Sequence, residues 1–158
     1  MFNDKRSGKI ALITHCILNQ NSRASGLAQK PSIVSEIVDF LVRNKIGIIQ
    51  MPCPELAYAG VLRQPQTIEQ YDNAEYRRHC RKIAEEISNQ IQQYENHGIK
   101  LETVIGINGS PTCSADNYGI FMKELRFALD KKRISAPFYD IHYKSLKKDI
   151  TKLNKLIK

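Results

Sequence analysis

The sequence predicts an α/β fold: a three-layer α/β/α sandwich with a parallel sheet of about four strands between its helices. Two observations lead to this fold class. Short apolar runs alternate along the chain with amphipathic helical patterns, which gives the element order βαβαβαβα. The connections from a predicted helix to the next strand are short, as is typical of α/β units. No linker, repeat or low-complexity tract interrupts the chain, so we expect a single domain over residues 1–158.

The first half of the chain contains two predicted strands and one predicted helix. Residues 10–13 and 46–51 are apolar runs with the length and composition of buried strands. Between them, Ser32 is expected to cap a helix, because its hydroxyl can accept a hydrogen bond from the first backbone N–H groups. The segment 52–72, which contains three prolines, is expected to be irregular. The core-facing positions of the helix are Ile33, Val34, Ile37, Val38 and Leu41.

The longest predicted helix runs from about residue 74 to residue 96. Asp72 or Asn73 is expected to cap its start, and Gly98 is expected to end it. A third strand follows at residues 101–107 and is broken by the Asn-Gly-Ser-Pro sequence at 108–111. The inward positions of the helix repeat with a helical period: Tyr76, Cys80, Ile83, Ala84, Ile87, Ile91 and Tyr94.

The last part of the chain contains two more helices and a weaker strand. Residues 117–130 form a predicted helix with Asp116 as its cap. Residues 137–143 form the predicted fourth strand. A lysine-rich amphipathic helix follows, with an apolar stripe formed by Leu146, Ile150, Leu153 and Ile157.

For these four parallel strands we expect the flavodoxin-like order 2-1-3-4, which is related to Rossmann-like sheets. This order places a topological switch point between strands one and three. The segments that follow strands one, two and three are long or glycine-rich, and all leave the sheet at its carboxyl edge. Open parallel sheets bind ligands at this edge, so we expect the functional site there.

The chain is basic, with 24 Lys and Arg against 16 Asp and Glu and a formal net charge of +8. This balance favours anionic partners such as phosphates, nucleic acid or acidic metabolites. Part of the excess comes from lysines on the last predicted helix, where they are expected to form a solvated outer face. These lysines are Lys144, Lys147, Lys148, Lys152, Lys155 and Lys158.

The sequence predicts neither a membrane span nor a secretory signal. A span would need an apolar run of about 18 residues, and the chain contains none. Near the start, only residues 10–13 are continuously apolar, which is too short for the apolar region of a signal peptide. We therefore expect a cytoplasmic protein.

Three of the four cysteines follow predicted strands. Cys16 and Cys53 come directly after strands one and two, and Cys113 lies a few residues after the break that ends strand three. Because these segments meet at one edge of the sheet, the three thiols are expected to converge there. Convergent thiolates suit zinc, copper(I) or an iron–sulfur cluster, and no fourth protein ligand is evident. Cys80 lies on the buried stripe of the longest helix and is expected to be structural.

Polar and charged residues accompany these thiols. Prolines on both sides of Cys53 stiffen its turn, and Glu55 places a carboxylate close by. Ser110 begins the hydroxyl-rich stretch around Cys113, where it could help to hold a ligand. Arg23 and Arg63, on two long loops, are the best candidates to bind an anionic or carbonyl-bearing ligand.

At these residues the sequence resembles the thiouracil desulfidase family, the TudS-like proteins. That family has S-A-C-L-L-G-x-x-C-R-Y after its first strand, then a C-P-E turn, and then S-P-S-C-G. The corresponding stretches here are T-H-C-I-L-N-Q-N-S-R at 14–23, C-P-E at 53–55 and S-P-T-C-S at 110–114. They occur in the same order within residues 9–120.

The resemblance implies a 4Fe–4S cluster held by Cys16, Cys53 and Cys113, with one iron free of protein ligands. In the family, the free iron takes the sulfur of a thiocarbonyl substrate, and water replaces that sulfur on carbon. Carried over to this chain, Glu55 would be the acid/base. Ser110 would hydrogen-bond the substrate or help to move a proton.

The chain departs from the family pattern at three motif positions while keeping the three cluster ligands. Ser22 replaces the second cysteine of the first motif, and Asn19 and Ser114 replace glycines. These changes alter the pocket floor and indicate a related subgroup. We expect either a small thionated substrate other than thiouracil itself, such as another thionated base or a thioamide, or a different sulfur transfer. The substrate is expected to contact Ser22, Arg23 and Arg63.

Two other functions are compatible with the sequence. A transferase with a cysteine nucleophile would use one thiol, and the predicted convergence of three thiols argues against it. A nucleic-acid-binding module, including one that recognises thionated RNA, would use the basic surface.

Overall fold

The computed structural model describes residues 2–116 and 118–157 of the chain. A parallel sheet forms the middle layer. Apolar residues dominate its two central strands, β1 (Lys9–Ile13) and β3 (Lys100–Ile107), as is typical of strands that are covered on both faces. The strands of the sheet are β1 (Lys9–Ile13), β2 (Gly47–Gln50), β3 (Lys100–Ile107) and β4 (Phe138–Ile141).

Helices cover both faces of the sheet, and short helical turns line its carboxyl edge. The described helices are α1 (His15–Leu18), α2 (Ser35–Arg43), α3 (Pro54–Ala59), α4 (Ile68–Tyr71), α5 (Ala74–Glu95), α6 (Ile120–Lys131) and α7 (Leu146–Leu156).

The strand order is β2-β1-β3-β4, and every neighbouring pair is parallel. This confirms both the predicted α/β class and the predicted order. At the carboxyl edge Ile13 pairs with Ile105, and Thr14 N donates to Ile105 O at 3.2 Å. The segments after β1 and β3 therefore start side by side. The segment after β2 starts on the other side of β1.

Two apolar cores hold the three layers together. On one face of the sheet, α5 and α6 bury residues such as Tyr76 and Phe121. On the other face, α2 and α7 bury residues such as Phe40 and Leu153. Full burial of one such large apolar side chain contributes about 1.5–3 kcal/mol, so the helical stripes seen in the sequence supply much of the folding free energy.

The longest helix agrees with its prediction. Asn73 caps α5, and its side chain accepts a hydrogen bond from Tyr76 N at 2.8 Å. Past the helix end, Gly98 has a φ of +79°, a conformation that favours glycine. Cys80 lies on the inner face of α5 and is fully buried, as predicted.

The start of α2 differs from its prediction. The helix begins at Ser35 with Val34 at the N-cap position, rather than after Ser32. Val34 N donates to Ile17 O at 2.9 Å, and Gln20 N donates to the carbonyl of Ser32 at 2.7 Å. These contacts tie residues 32–34 to the loop after β1, so they cannot join the helix.

The start of α6 also differs from its prediction. Its predicted first residue, Asn117, lies outside the described residues. The helix begins at Ile120, with Gly119 rather than Asp116 at the N-cap position. The backbone N–H of Asp116 instead donates to Asp140 Oδ2 at 3.1 Å, which holds this residue in the preceding loop.

The segment 52–72 is more regular than predicted, because it contains α3 and α4. Pro54 occupies the first turn of α3, where proline loses no hydrogen bond. Thr67 and Gln70 form a capping box at the start of α4. Both signals are legible in the sequence: a proline at the first position of a helix, and a Thr and a Gln three residues apart.

The lysine-rich helix forms as predicted and packs against α2. The lysines at 144, 147, 148, 152 and 155 are exposed, and Lys158 lies outside the described residues. In the described part of the chain, no helix is both long enough and apolar enough to cross a membrane.

Candidate functional site

A cavity of about 220 Å³ lies at the carboxyl edge of the sheet, between the segments that follow β1, β2 and β3. The structure brings together at this cavity every residue that the sequence analysis proposed for the site. The proposed residues that line it are Cys16, Ser22, Arg23, Cys53, Glu55, Arg63, Ser110 and Cys113.

The first wall comes from the segment after β1. Cys16 lies in the single turn α1, where its carbonyl oxygen accepts hydrogen bonds from Asn19 N at 3.2 Å and Gln20 Nε2 at 2.9 Å. Arg23 Nη1 lies 4.0 Å from Cys16 Sγ. The following loop therefore places a positive charge beside this sulfur.

Gln20 and Tyr143 support this wall, and neither residue was predicted. Gln20 is buried, and its Nε2 also donates to Tyr143 Oη at 2.9 Å. Its Oε1 accepts hydrogen bonds from Gln29 N at 3.0 Å and Lys30 N at 3.2 Å. Arg23 Nη1 lies 3.5 Å from Tyr143 Oη. A residue from the segment after β4 thus reaches the Cys16 wall.

The second wall comes from the turn after β2. Cys53 caps α3, and its sulfur accepts a hydrogen bond from Leu56 N at 3.3 Å. Glu55 lies in the first helical turn and is 8% exposed. Its Oε1 lies 3.1 Å from Arg63 Nε in a buried ion pair. Removing one partner of such a pair leaves the other charge buried without a counterion, which costs about 3–5 kcal/mol, so the wall depends on both residues being present.

Arg63 joins the two walls through its other donors. Nη2 donates to Ser22 O at 2.8 Å and lies 3.8 Å from Cys53 Sγ, while Nη1 donates to Gly60 O at 3.2 Å. Protein groups thus use all three nitrogen atoms of this guanidinium. This geometry favours a positioning role for Arg63 over direct contact with a ligand.

Tyr71 is a second partner of Glu55 and was not predicted. Its hydroxyl donates to Glu55 Oε1 at 3.4 Å. Burial, together with the charge of Glu55, raises the pKa of Tyr71 to about 12, so the phenol keeps its proton at neutral pH. The named contacts of Glu55 all go to Oε1, which leaves Oε2 as the oxygen that can exchange a proton.

The third wall is the loop after β3, which carries Cys113. Ser110 Oγ accepts hydrogen bonds from Cys113 N at 3.0 Å and Thr112 N at 3.3 Å. The hydroxyl proton of Ser110 can therefore point away from this loop. Thr112 Oγ1 is in turn 2.8 Å from Tyr76 Oη, which anchors the loop to α5 in the core.

Asp140 fixes the far end of this loop and was not predicted. It lies in β4 and is fully buried. Its carboxylate accepts hydrogen bonds from Ser114 Oγ at 2.7 Å, Ala115 N at 2.8 Å and Asp116 N at 3.1 Å. The sequence held one signal for this role: Asp140 is a single acidic residue inside an apolar strand. A buried charge needs several hydrogen-bond partners, so its position indicates that other segments contact it.

Two glycines allow the Cys113 loop to pack directly on the core. A Cβ atom at Gly106, in β3, would lie 2.6 Å from Asp140 Oδ1. A Cβ atom at Gly119 would lie 2.6 Å from Thr112 O. Side chains at these positions would push the loop away from the sheet, so its place depends on both glycines.

Burial keeps protons on two of the cavity thiols. Burial raises the pKa of Cys53, although the Leu56 N–H and the charge of Arg63 oppose the shift. Burial also raises the pKa of Cys113 well above its ordinary value, and the neighbouring thiols and Glu55 add to that shift. Metal ligation needs thiolates, so a metal centre bound here would displace these protons. All four cysteines are free thiols, and Cys80 lies outside the cavity lining.

The arrangement of donors does not match a site for one metal ion. Within residues 2–116 and 118–157, no group of three or more Cys, His, Asp and Glu side chains is placed to hold a single ion. The potential donors on the cavity wall are three separate thiols and a carboxylate that already forms an ion pair.

Comparison with known proteins identifies a close homologue. No family model matches the chain, and no solved structure matches it with significant similarity. The sequence is 40% identical over 153 residues to a protein of Methanocaldococcus jannaschii that is named Uncharacterized protein MJ0003. The match covers 95% of this chain and 97% of that protein. The chain therefore belongs to the same protein family as Uncharacterized protein MJ0003.

Proposed function

We propose that this protein is an iron–sulfur-dependent desulfidase that removes sulfur from a small thiocarbonyl compound. One observation carries the proposal: three thiols from three different strand ends line one cavity together with Glu55 and Ser110. These residues belong to the three motifs that resemble those of the thiouracil desulfidase family. The match in residue type, order and position supports the same class of chemistry.

The donor set fits a 4Fe–4S cluster better than a single ion. Thiolates are the usual ligands of iron–sulfur clusters, and the irons of a cluster occupy separate positions. Cys16, Cys53 and Cys113 would hold three irons, and the cavity wall offers no fourth thiol. Arg23 and Arg63, which lie close to Cys16 and Cys53, would offset the negative charge of the bound thiolates.

The overall reaction exchanges the C=S group of the substrate for C=O by means of water and releases sulfide. When bound, the cluster would supply a Lewis-acidic iron with affinity for sulfur. Glu55 would take a proton from the water that attacks the thiocarbonyl carbon, and Arg63 holds this carboxylate in place. The Ser110 hydroxyl would donate a hydrogen bond to the substrate from the opposite wall.

The size of the cavity supports a small substrate. Pockets for drug-sized ligands measure about 300–1,000 Å³. This cavity measures about 220 Å³ without a cluster, and a cluster held by its thiols would fill part of that volume. The remaining space favours a small substrate such as a single thionated ring or a thioamide. The four free thiols suit a reducing compartment, so we propose a cytoplasmic location.

The first test is the cluster content of protein purified without oxygen. We expect a brown protein with about four irons and four sulfides per chain, as a 4Fe–4S cluster requires. Cys16→Ala, Cys53→Ala and Cys113→Ala should each lose most of the iron, whereas Cys80→Ala should keep it. Equal loss in all four variants, or no iron in the unaltered protein, would contradict the proposal.

A second candidate function is nucleic-acid binding along α7. The exposed lysines at 144, 147, 148, 152 and 155 form no ion pair within the described residues, which favours an anionic partner. RNA binding whose affinity falls steeply with salt, and which weakens when Lys147 and Lys148 are both changed to Gln, would support this function.

A further inference from the structure

The two arginines of the cavity differ in how their charges are balanced. Arg63 forms an ion pair with Glu55 and donates to two backbone carbonyls. Arg23 has no carboxylate within 4.0 Å among the described residues. Arg23 therefore brings to the cavity wall a positive charge that no carboxylate of the described residues balances.

Arg23 also has a donor, Nε, that forms no hydrogen bond with the described residues. Its Nε is the only buried side-chain nitrogen or oxygen without a hydrogen-bond partner in the part of the chain that the structure describes. Buried donors are nearly always paired, because leaving one unpaired costs free energy. This orphaned donor belongs to a side chain that lines the cavity, so a ligand is a natural partner for it.

The side-chain polar contacts of Arg23 within the described residues all involve one nitrogen of its guanidinium, Nη1. Nη1 lies 4.0 Å from Cys16 Sγ and 3.5 Å from Tyr143 Oη, and both distances are long for hydrogen bonds. The centre of the guanidinium lies 5.3 Å from the centre of the Tyr143 ring, within the range of a cation–π contact. The edge formed by Nε and Nη2 is the one that binds an oxyanion side-on with two parallel hydrogen bonds.

We propose that the cavity binds a small molecule through a carboxylate held on the Nε/Nη2 edge of Arg23. The weak Nη1 contacts allow the guanidinium to turn its covered Nε toward the ligand. The size of the cavity favours a one-ring carboxylate over a larger phosphorylated molecule. Resting on the proposed function, the inference names the substrate class: a thiocarbonyl compound that also carries a carboxylate.

The anion site can be tested without the cluster, in metal-free, reduced protein. The probes are benzoate, its neutral counterpart benzamide and inorganic phosphate, and the readout is the ¹⁵N–¹H signal of Arg23 Nε. We expect benzoate to shift this signal and to bind at least about tenfold more tightly than benzamide, as expected for an ion pair with a guanidinium. Equal binding of benzoate and benzamide would overturn the proposal, and a response to phosphate alone would overturn the carboxylate assignment.

Two matched variants distinguish binding of benzoate at Arg23 from a general attraction of benzoate to this basic protein. Arg23→Gln should abolish the preference for benzoate, whereas Arg78→Gln removes the same charge from an exposed position of α5 and should leave it unchanged. Equal loss in both variants would overturn the site. Because these measurements use cluster-free protein, they fail or succeed independently of the desulfidase proposal.

The substrate class is tested with cluster-loaded protein and two substrates, thiobenzamide and 4-carboxythiobenzamide. We expect a kcat/KM that is at least about tenfold higher for the carboxylated compound, and Arg23→Gln should remove this difference. Turnover of both substrates at the same rate would leave the desulfidase proposal standing and overturn the substrate class.

Discussion

Some side chains at the cavity hold its walls together and would also take part in the proposed reaction. Glu55 is the clearest case. Its Oε1 is engaged by Arg63 and Tyr71, while Oε2 can exchange a proton. A carboxylate fixed in this way is held in one orientation, as a general base must be.

Replacing Glu55 tests its role as a proton acceptor. In cluster-loaded protein, Glu55→Gln should lower turnover of a thiocarbonyl substrate by about 10²–10⁴-fold, because the amide cannot take up a proton. The amide oxygen can still accept the hydrogen bond from Arg63, so the wall should keep its geometry and its iron, although loss of the counterion should lower the free energy of unfolding by up to about 3–5 kcal/mol. The control is Glu69→Gln, at an exposed position of α4. Unchanged turnover in Glu55→Gln would limit Glu55 to a structural role.

Asp140 is expected to act on the site through the position of the Cys113 loop. Asp140→Asn replaces an oxygen acceptor with an NH₂ group that faces hydrogen-bond donors. We expect the free energy of unfolding to fall by about 1–3 kcal/mol, the cost of an unpaired buried group. Amide hydrogen exchange at residues 113–116 should become faster. Asp130→Asn, at an exposed position of α6, is the control, and equal effects in both variants would contradict this role.

At the level of secondary structure elements, the site depends on how closely the Cys113 loop approaches β3. Gly106 makes that approach possible, because its missing side chain leaves room for Asp140 and for the backbone of Cys113. The Cys113 loop therefore packs against the backbone of β3 at Gly106, where β3 has no side chain.

The packing of the loop can be tested with one added methyl group. Gly106→Ala should destabilise the protein by about 1–3 kcal/mol, the usual cost of overpacking, and should lower iron retention. Gly47→Ala is the matched control, because a Cβ atom in β2 would be 3.5 Å from its nearest neighbour, Lys9 O. Urea unfolding measures both variants. Equal stability of the two would show that the loop shifts without cost.

At the level of the whole molecule, buried thiols link stability to pH. Burial raises the pKa of Cys80 from 9.0 to about 12. Above pH 9 this thiol ionises in the unfolded chain but keeps its proton in the folded chain. The unfolded state then binds fewer protons, so stability falls as the pH rises.

The size of this effect can be measured by comparing how steeply the free energy of unfolding falls with pH in the unaltered chain and in Cys80→Ala. Between pH 9 and pH 12, Cys80 should remove about 1.4 kcal/mol from the free energy of unfolding for each pH unit. Urea unfolding of reduced, metal-free protein at several pH values should therefore show a shallower fall for Cys80→Ala than for the unaltered chain. Equal slopes would mean that Cys80 ionises in the folded state.

The sequence by itself determined the fold class, the strand order and eight of the residues that line the cavity. Local patterns suffice for these features: apolar runs and helical periodicity mark the elements, and parallel strands must deliver their carboxyl ends to one edge. Cys16, Cys53 and Cys113 could therefore be assigned to one site from their positions after strands. Cys80 could be excluded because it lies on a helical stripe.

Only the tertiary structure decided how these residues are held. Tyr143 reaches Gln20 across 123 positions of the chain, and Asp140 reaches Ala115 across 25. The same long-range hydrogen bonds shifted the start of α6 past Asp116, because its backbone N–H is bound to Asp140. No periodic pattern in the sequence indicates these hydrogen bonds, because each one forms only where the fold brings two distant segments together. The unbalanced charge of Arg23 likewise became visible only when the fold paired Glu55 with Arg63.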